Sequence, residues 1–174
     1  EVRRLLLEAE HLLYSGIRIR TEDIDPDKRT AILRVETEAS VDDAEIRLET
    51  KVGGKSYSVS DVSPLCLAVA GFGLWSADTP ELYPVTVTLL KNGEVKDVQT
   101  VNCGFRKVEF DARRGLSVNG RPERLKGVCL HHDLGPLGAA FNASAMLHRL
   151  CLLKEMGCNA IRTSHNMPDP KLLD

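Results

Sequence analysis

The sequence has 174 residues, of which 43% are hydrophobic and 28% are charged, and its formal net charge is −2. This composition is typical of a globular protein. The near-neutral charge argues against nucleic acid or an anionic membrane as a partner, and no apolar run approaches the roughly 20 residues that a membrane-spanning helix needs.

The amino terminus lacks the pattern of a secretory signal. Its first residues, EVRRLLLEAE, carry acidic side chains within a short apolar run, which a signal sequence does not. We therefore expect neither a signal peptide nor a membrane segment in this stretch, and both the cytoplasm and the periplasm stay open as compartments. The opening Glu and the closing KLLD suggest a cut chain rather than natural ends.

The cysteines do not form a recognised motif. They stand at positions 66, 103, 129, 151 and 158, and no two have the spacing of a zinc knuckle or a thioredoxin-type motif. Four of the five lie in apolar runs, so we expect buried, inert thiols. A disulfide has no positive support, and the cysteine usage leans towards a reducing compartment.

The first two thirds of the chain predict short β-strands, because apolar and polar residues alternate between turn signals. The segments are HLLYSGIRIRT, TAILRVETEA, AEIRLETKV, KSYSVSDV, SPLCLAVAG, YPVTVTLL and EVKDVQTVNC. Gly53-Gly54 and Asn92-Gly93 predict hairpin turns, and residues 22–29 predict a polar turn. About seven strands at this spacing are typical of a two-sheet sandwich of immunoglobulin type.

The pattern changes near residue 120. LKGVCLHH and CNAIRTSH are short apolar runs, as in parallel strands buried on both faces. Between them, NASAMLHRLCLLKEMG predicts a helix with Asn142 as its N-cap and Gly157 as its C-cap. Asp169-Pro170 predict the start of another helix. The apolar face of the first helix is expected to contain Met146, Leu150, Leu153 and Met156.

This order of strand, helix, strand and helix start is a βαβ unit with parallel strands. A closed eight-stranded barrel takes roughly 250 residues, and the about 55 residues after position 120 suffice for two of its eight units. The expected fold is therefore mainly β. An immunoglobulin-like β-sandwich at 1–108 is followed at 109–174 by the first two βα units of an incomplete (β/α)8 barrel.

Three runs in the chain resemble family 2 glycoside hydrolases of the β-galactosidase type. LWSADTPELYPVTVTL is similar to the end of that family's sandwich domain, GFRKVEF with LSVNGRPERLKGVCLHH to the passage into its barrel, and LLKEMGCNAIRTSHNMPDP to its first helix and second barrel strand. Their order and spacing also match. The resemblance implies a retaining hydrolase of terminal β-glycosidic bonds with a TIM-barrel domain. The stretch GVCLHHDLG favours a β-galactosidase over a β-glucuronidase or β-mannosidase.

The resemblance assigns roles to three residues of this chain. It implies that His131 contacts the substrate near the transition state, that Arg162 supports the nucleophile carboxylate, and that His165 binds sugar hydroxyls. All three are expected at the carboxyl ends of the strands, where such barrels place their active sites. A guanidinium can hold a carboxylate through paired hydrogen bonds, and an imidazole can both donate to and accept from hydroxyls. The alternative for Arg162 is an ion pair in the barrel wall.

The catalytic carboxyl groups are not expected in this chain. In the resembled family both glutamates come from later barrel strands, so they are expected beyond Asp174, and this chain alone is predicted to be inactive. The acid beside a strand end here is Asp133, and the family often has Glu where this chain has His132. A metal site at His131, His132 and Asp133 is disfavoured, because adjacent strand residues point to opposite faces. No cofactor is evident, and a divalent cation in a complete enzyme stays open.

Two sequence features and the function of the chain have alternative interpretations. Trp75 suits either a sugar-stacking platform or a plug at the sandwich edge, and the plug is favoured. Asn142-Ala-Ser144 matches a glycosylation sequon, although capping a helix explains it more simply. The expected partner is a β-linked carbohydrate, and the incomplete barrel segment is expected to be mobile, to dock on the sandwich or to pair with a second copy of the chain. The competing function is a freestanding immunoglobulin-like binding or adhesion module.

Overall fold

The computed structural model describes residues 12–41 and 44–172. The chain forms two compact units, of which the first reaches Arg121 and the second begins at Pro122. None of the helices in the described ranges has both the length and the apolar character that a membrane span requires.

Seven antiparallel strands form two sheets in the first unit. They are β1 (Leu12–Asp25), β2 (Thr30–Ala39), β3 (Glu45–Val52), β4 (Lys55–Asp61), β5 (Leu65–Ala70), β6 (Tyr83–Lys91) and β7 (Glu94–Cys103). One sheet has the order β1-β2-β5 and the other the order β4-β3-β6-β7. Buried side chains from both sheets pack in shared clusters. The predicted immunoglobulin-like sandwich is therefore confirmed.

Strand β3 illustrates why these segments become strands. Ile46, Leu48 and Val52 are at most 2% exposed, whereas Glu45 and Lys51 face the solvent. Successive side chains of a strand point to opposite faces, so the alternating sequence puts the apolar set in the core and the charged set in water.

Both predicted hairpin turns have the backbone that their residues allow. The φ angle is +55° at Gly53 and +78° at Gly54, and likewise +55° at Asn92 and +78° at Gly93. Positive φ at both central residues is typical of two-residue hairpin turns. Gly53 is also required for space, since a Cβ atom there would lie 2.5 Å from the carbonyl oxygen of Gly71.

The first polar turn is shorter than the sequence predicts. Strand β1 continues to Asp25, and the turn occupies residues 26–29 rather than 22–29. The Asp25 carboxylate ends the strand, because its Oδ1 accepts hydrogen bonds from the amides of Asp27 at 3.0 Å and Lys28 at 2.9 Å. Such side-chain-to-backbone bonds favour a turn immediately after an Asp.

The core of the sandwich includes a cluster of aromatic rings. Phe105, which is fully buried, stacks on Phe72 at a centroid distance of 4.1 Å and meets Tyr83 edge-on at 5.5 Å. Aromatic pairs in these geometries add to the stabilisation from area burial. The cluster lies where the loop carrying Leu74 forms a bridge with Phe105 after β7.

A small sheet that the sequence did not predict follows the sandwich. It consists of β8 (Val108–Asp111), β9 (Gly115–Val118) and β10 (Arg121–Pro122), with β8 antiparallel to β9. All four residues of β8 are exposed. Its sequence alternates apolar and polar residues over only four positions, which is too short a run to predict a strand by itself.

The second unit contains the predicted strand–helix–strand segment. It consists of β11 (Gly127–Cys129), helix α1 (Ala143–Glu155) and β12 (Ala160–Arg162), with short 3-10 turns at Gly135–Leu137 and Pro170–Leu172. Strands β11 and β12 pair in parallel. The predicted parallel arrangement is confirmed, although each strand is only three residues long.

Both predicted caps of helix α1 are confirmed. The Asn142 side chain accepts a hydrogen bond from the amide of Ala145 at 3.0 Å. At the other end, Gly157 has φ of +87° and donates its amide to the carbonyl of Lys154 at 2.9 Å, and the next amide donates to the carbonyl of Leu153 at 3.0 Å. This pair of bonds is the Schellman motif that a glycine in the left-handed conformation completes.

Three predictions about burial are wrong. Strands β11 and β12 are not buried on both faces, because two residues of each strand are exposed and the third is half-buried. Met156 is 73% exposed, whereas Met146 on the same helix is 8% exposed. Cys66, Cys129 and Cys151 are exposed rather than buried, and all five thiols are free. Cys66 shows the reason, because it alternates with the buried Leu65 and Leu67 and so points to the other face of β5.

Candidate functional site

The candidate site lies at the carboxyl ends of β11 and β12. Because these strands are parallel, their carboxyl ends meet at one edge. His131 comes two residues after Cys129, the last residue of β11, and His165 comes three residues after Arg162, the last residue of β12. The amide of Leu130 donates to the carbonyl of Arg162 at 2.8 Å and extends the pairing towards the site.

The amino ends of the same strands are joined by Asn159, which the sequence analysis did not single out. Its Oδ1 accepts the amide of Lys126 at 2.8 Å, and its Nδ2 donates to Glu123 Oε1 at 2.6 Å and to the carbonyl of Arg124 at 3.1 Å. One amide side chain thus sets the start of both strands, and with it the register that brings residues 131 and 164 together.

The structure places His131 and His165 side by side. Their ring centroids are 5.4 Å apart and their planes are inclined by 66°. His131 Nε2 also lies 3.2 Å from the hydroxyl of Ser164, within hydrogen-bonding distance. Both imidazoles are exposed, so these nitrogen atoms are accessible to a ligand.

Arg162 makes a different contact. It lies opposite Cys129 in the strand register, and its Nη1 is 3.9 Å from the Cys129 sulfur. The guanidinium is exposed and its planar donors are not paired with a carboxylate in any contact among the described residues. This arrangement suits a group that receives a carboxylate from outside the described strands.

Asp133 is held by helix α1. Its backbone carbonyl accepts a hydrogen bond from Arg149 Nη1 at 2.6 Å, and its carboxylate lies 3.9 Å from the same guanidinium. Through these two contacts with Arg149, Asp133 fastens the loop after β11 to the helix, and with it the backbone that carries His131.

The described residues contain no group of three or more His, Cys, Asp or Glu side chains that could hold a metal ion.

A cavity of about 280 Å³ lies beside His131, whereas Arg162, Ser164 and His165 are not among the residues that line it. His131, His132 and the carboxylate-bearing Asp133 and Asp169 line it together with apolar side chains. The apolar lining residues are Leu130, Leu134, Ala139, Ala140, Phe141, Met146, Pro168 and Leu172. Asp169 also fills the capping role that the sequence predicts, because its Oδ1 accepts a hydrogen bond from the amide of Lys171 at 3.0 Å.

Trp75 lies in the first unit and is covered on its ring face. The Arg106 guanidinium carbon is 4.2 Å from the ring centroid, and a Cβ atom on Gly104 would come within 2.9 Å of Trp75 Cδ1. The backbone of Trp75 bonds to Phe105 and accepts from Asn119 at 3.0 Å. These contacts favour the structural role of Trp75 over a sugar-stacking platform.

Comparison with known proteins gives the same two-part organisation. The sequence model of glycosyl hydrolases family 2 matches residues 15–106, and the model of that family's TIM barrel domain matches residues 110–174. A β-galactosidase of Bacteroides ovatus is 45% identical over 139 residues, which cover 78% of this chain and 16% of that protein.

Solved structures resemble the chain over nearly its whole length. A glycosyl hydrolase family 2 member from Bacteroides cellulosilyticus has a TM-score of 0.82 and 28% identity, covering 94% of this chain and 23% of the other. β-Glucuronidase 3 of Bacteroides uniformis has a TM-score of 0.78 and 27% identity, covering 95% of this chain and 21% of the other. The chain thus spans less than a quarter of the length of each relative.

Proposed function

Because the chain belongs to glycoside hydrolase family 2, we propose that it is a segment of a retaining β-galactosidase that hydrolyses terminal β-glycosidic bonds. The observation that carries the proposal is the parallel pairing of β11 with β12, which puts His131, Ser164 and His165 at one edge. The 45% identity with a β-galactosidase over 78% of the chain supports the choice of sugar. The proposed domain boundary lies between residues 108 and 109.

Within that reaction, the proposed roles are those that the family resemblance implies, and the exposure of the side chains is compatible with them. The exposed imidazoles of His131 and His165 meet sugar hydroxyls, because each neutral ring has one donor and one acceptor. The exposed Arg162 guanidinium orients and holds ionised a carboxylate supplied by another part of the protein.

The proposed reaction needs two catalytic carboxyl groups, and we expect neither of them to be among these 174 residues. Retaining glycosidases place them about 5 to 5.5 Å apart, one as acid and base and the other as nucleophile. The 174 residues contain no Asn-Glu dipeptide, and Asp133 is engaged by Arg149. We therefore expect the isolated chain to give no turnover of a nitrophenyl β-galactoside, and measurable turnover by the purified polypeptide would contradict this.

The site is tested in a complete protein that contains this chain. Replacing Arg162 by Ala or His165 by Ala is expected to lower kcat/KM about 100-fold or more, as for lost transition-state contacts. His148→Ala is the matched control, because His148 is exposed on helix α1, and its kcat/KM is expected to be unchanged. Equal kcat/KM values for His165→Ala and His148→Ala would contradict the proposal that His165 binds the substrate.

The β-glucuronidases among the relatives support a second substrate class. The B. uniformis β-glucuronidase matches 95% of the chain with a TM-score of 0.78. Parallel assays of the complete protein with nitrophenyl galactoside and nitrophenyl glucuronide separate the two, since the sugars differ in the configuration at C4 and in the carboxylate at C6. Preference for the glucuronide would show that the protein is a β-glucuronidase rather than a β-galactosidase, and its assignment to glycoside hydrolase family 2 would be unaffected.

We also propose that the isolated chain self-associates through its second unit. Leu125, Leu147 and Leu152 are 62%, 63% and 47% exposed there, which is a large apolar exposure for one short segment. Sedimentation of the chain over a range of concentrations is expected to show a growing dimer fraction. A monomer at every concentration would contradict it.

A further inference from the structure

Ser164 is a polar group beside His131 to which the proposed reaction gives no task. Its hydroxyl is the partner of His131 Nε2 at 3.2 Å. A serine hydroxyl donates well to a neutral imidazole nitrogen, which is the stronger base of the two. The other ring nitrogen, Nδ1, then carries the proton, because the bond at one nitrogen decides the tautomer of the ring.

The backbone around Ser164 is arranged to present this hydroxyl. Ser164 has φ of +54°, a conformation uncommon for residues other than glycine. The turn is closed by the Asn166 amide, which donates to the carbonyl of Thr163 at 3.1 Å. Strained backbone of this kind persists where the surrounding structure holds it, and it is concentrated at functional sites.

The strand register brings the serine and the histidine to the same side. Cys129 and Arg162 are directly opposite in the parallel pair, and His131 and Ser164 each follow two residues later. Both residues lie beyond the paired ends of their strands, so their contact depends on the turn at Ser164 as well as on the strand register. The ring of His165 lies edge-on to His131 at a centroid distance of 5.4 Å.

We propose that Ser164 is a positioning residue that orients His131 and fixes it as the Nδ1–H tautomer. The ring then meets a sugar hydroxyl as a hydrogen-bond donor from Nδ1, with Nε2 retained by the serine. This inference rests on the proposed function only for the identity of the ligand, because the tautomer is a property of this chain by itself.

The test is long-range proton–nitrogen correlation spectroscopy of the full 174-residue chain, at about pH 8.5, where imidazoles are neutral. His131 is expected to show an excess of Nδ1–H over the exposed His148, which serves as the internal reference. In Ser164→Gly and Ser164→Ala, the ratio of the Nδ1–H to the Nε2–H tautomer of His131 is expected to move about three- to tenfold towards the ratio of His148. A change of this size corresponds to the loss of one hydrogen bond.

Glycine is the decisive variant, because it suits positive φ and keeps the turn while removing the hydroxyl. Ser144→Ala is the matched control for loss of a hydroxyl elsewhere in the same unit, and its His131 ratio should equal that of the unaltered chain. An unchanged His131 ratio in Ser164→Gly would overturn the proposal. So would a ratio that already equals that of His148 in the unaltered chain.

The outcome is separable from the proposed function. If the complete protein prefers another glycoside, the measured tautomer shift in this chain still supports the role of Ser164. If the complete protein hydrolyses galactosides while the ratio does not respond to Ser164→Gly, the role of Ser164 alone fails.

Discussion

The two units of the chain differ in how much of their apolar surface they bury. Nearly all of the buried hydrophobic side chains lie between Ala31 and Phe105 in the sandwich, whereas Met146 is the buried one among the described residues of the second unit. Burial contributes about 25 cal/mol per Å² of apolar surface, so the sandwich has its own source of stability and the βα unit has little. The candidate site is therefore on the less stable of the two units.

The largest expected difference between the units is in amide exchange. We expect the amides of β3 and β6 to exchange about a thousandfold or more slowly than those of β11, β12 and helix α1, because local opening costs little where few side chains are buried. Hydrogen exchange of a dilute monomer measures this directly. Uniformly slow exchange beyond residue 125 would show that the second unit is stabilised by something other than its own core.

A matched pair of phenylalanine substitutions sharpens the comparison. Phe105 is fully buried and stacked on Phe72, whereas Phe110 is 81% exposed. Phe105→Ala is expected to lower the free energy of unfolding by about 3 to 5 kcal/mol, and Phe110→Ala to change it by less than about 0.5 kcal/mol. Denaturant unfolding followed by the fluorescence of Trp75, the single tryptophan, gives both values. Comparable losses for the two variants would contradict the placement of the core.

In the second unit, the expected effects are local. Asn142→Ala removes the bond to the Ala145 amide and is expected to destabilise the helix by about 1 kcal/mol. In a unit with so little burial, this should appear as fraying of residues 143–147 in exchange or in NMR shifts. Ser144→Ala leaves the cap intact while removing the sequon, so it should not fray the helix. Fraying in both variants would argue against capping by Asn142.

An effect that is expected only at alkaline pH lies in the sandwich. Burial raises the pKa of the Cys103 thiol from 9.0 to about 11. The folded chain therefore keeps this proton where the unfolded chain loses it, so the contribution to stability is complete below pH 9.0 and is lost as the pH rises through about 11. Cys103→Ala should make the alkaline decline in unfolding free energy shallower. Cys66→Ala controls for removal of a surface thiol, and parallel curves for unaltered chain and Cys103→Ala would exclude the effect.

Local pattern was sufficient to predict most of the sandwich and the start of the barrel segment. Alternation in β3, the pair Asn92-Gly93, and the caps Asn142 and Gly157 act within a few residues of themselves, so each can be recognised without knowing the rest of the fold. The exposed β8 and the outward-facing Cys66 were missed or misjudged for the opposite reason. Their environment depends on which face a partner sheet covers.

The sequence by itself determined the fold class, the order of the seven sandwich strands and the caps of helix α1, because periodicity and turn chemistry are local. Only the tertiary structure decided the contacts across the strand register: Ser164 on His131, Arg162 beside Cys129, and Arg106 over Trp75. Each joins residues at least 31 positions apart. Their meeting depends on which strands pair and in what register, which no short stretch of sequence specifies.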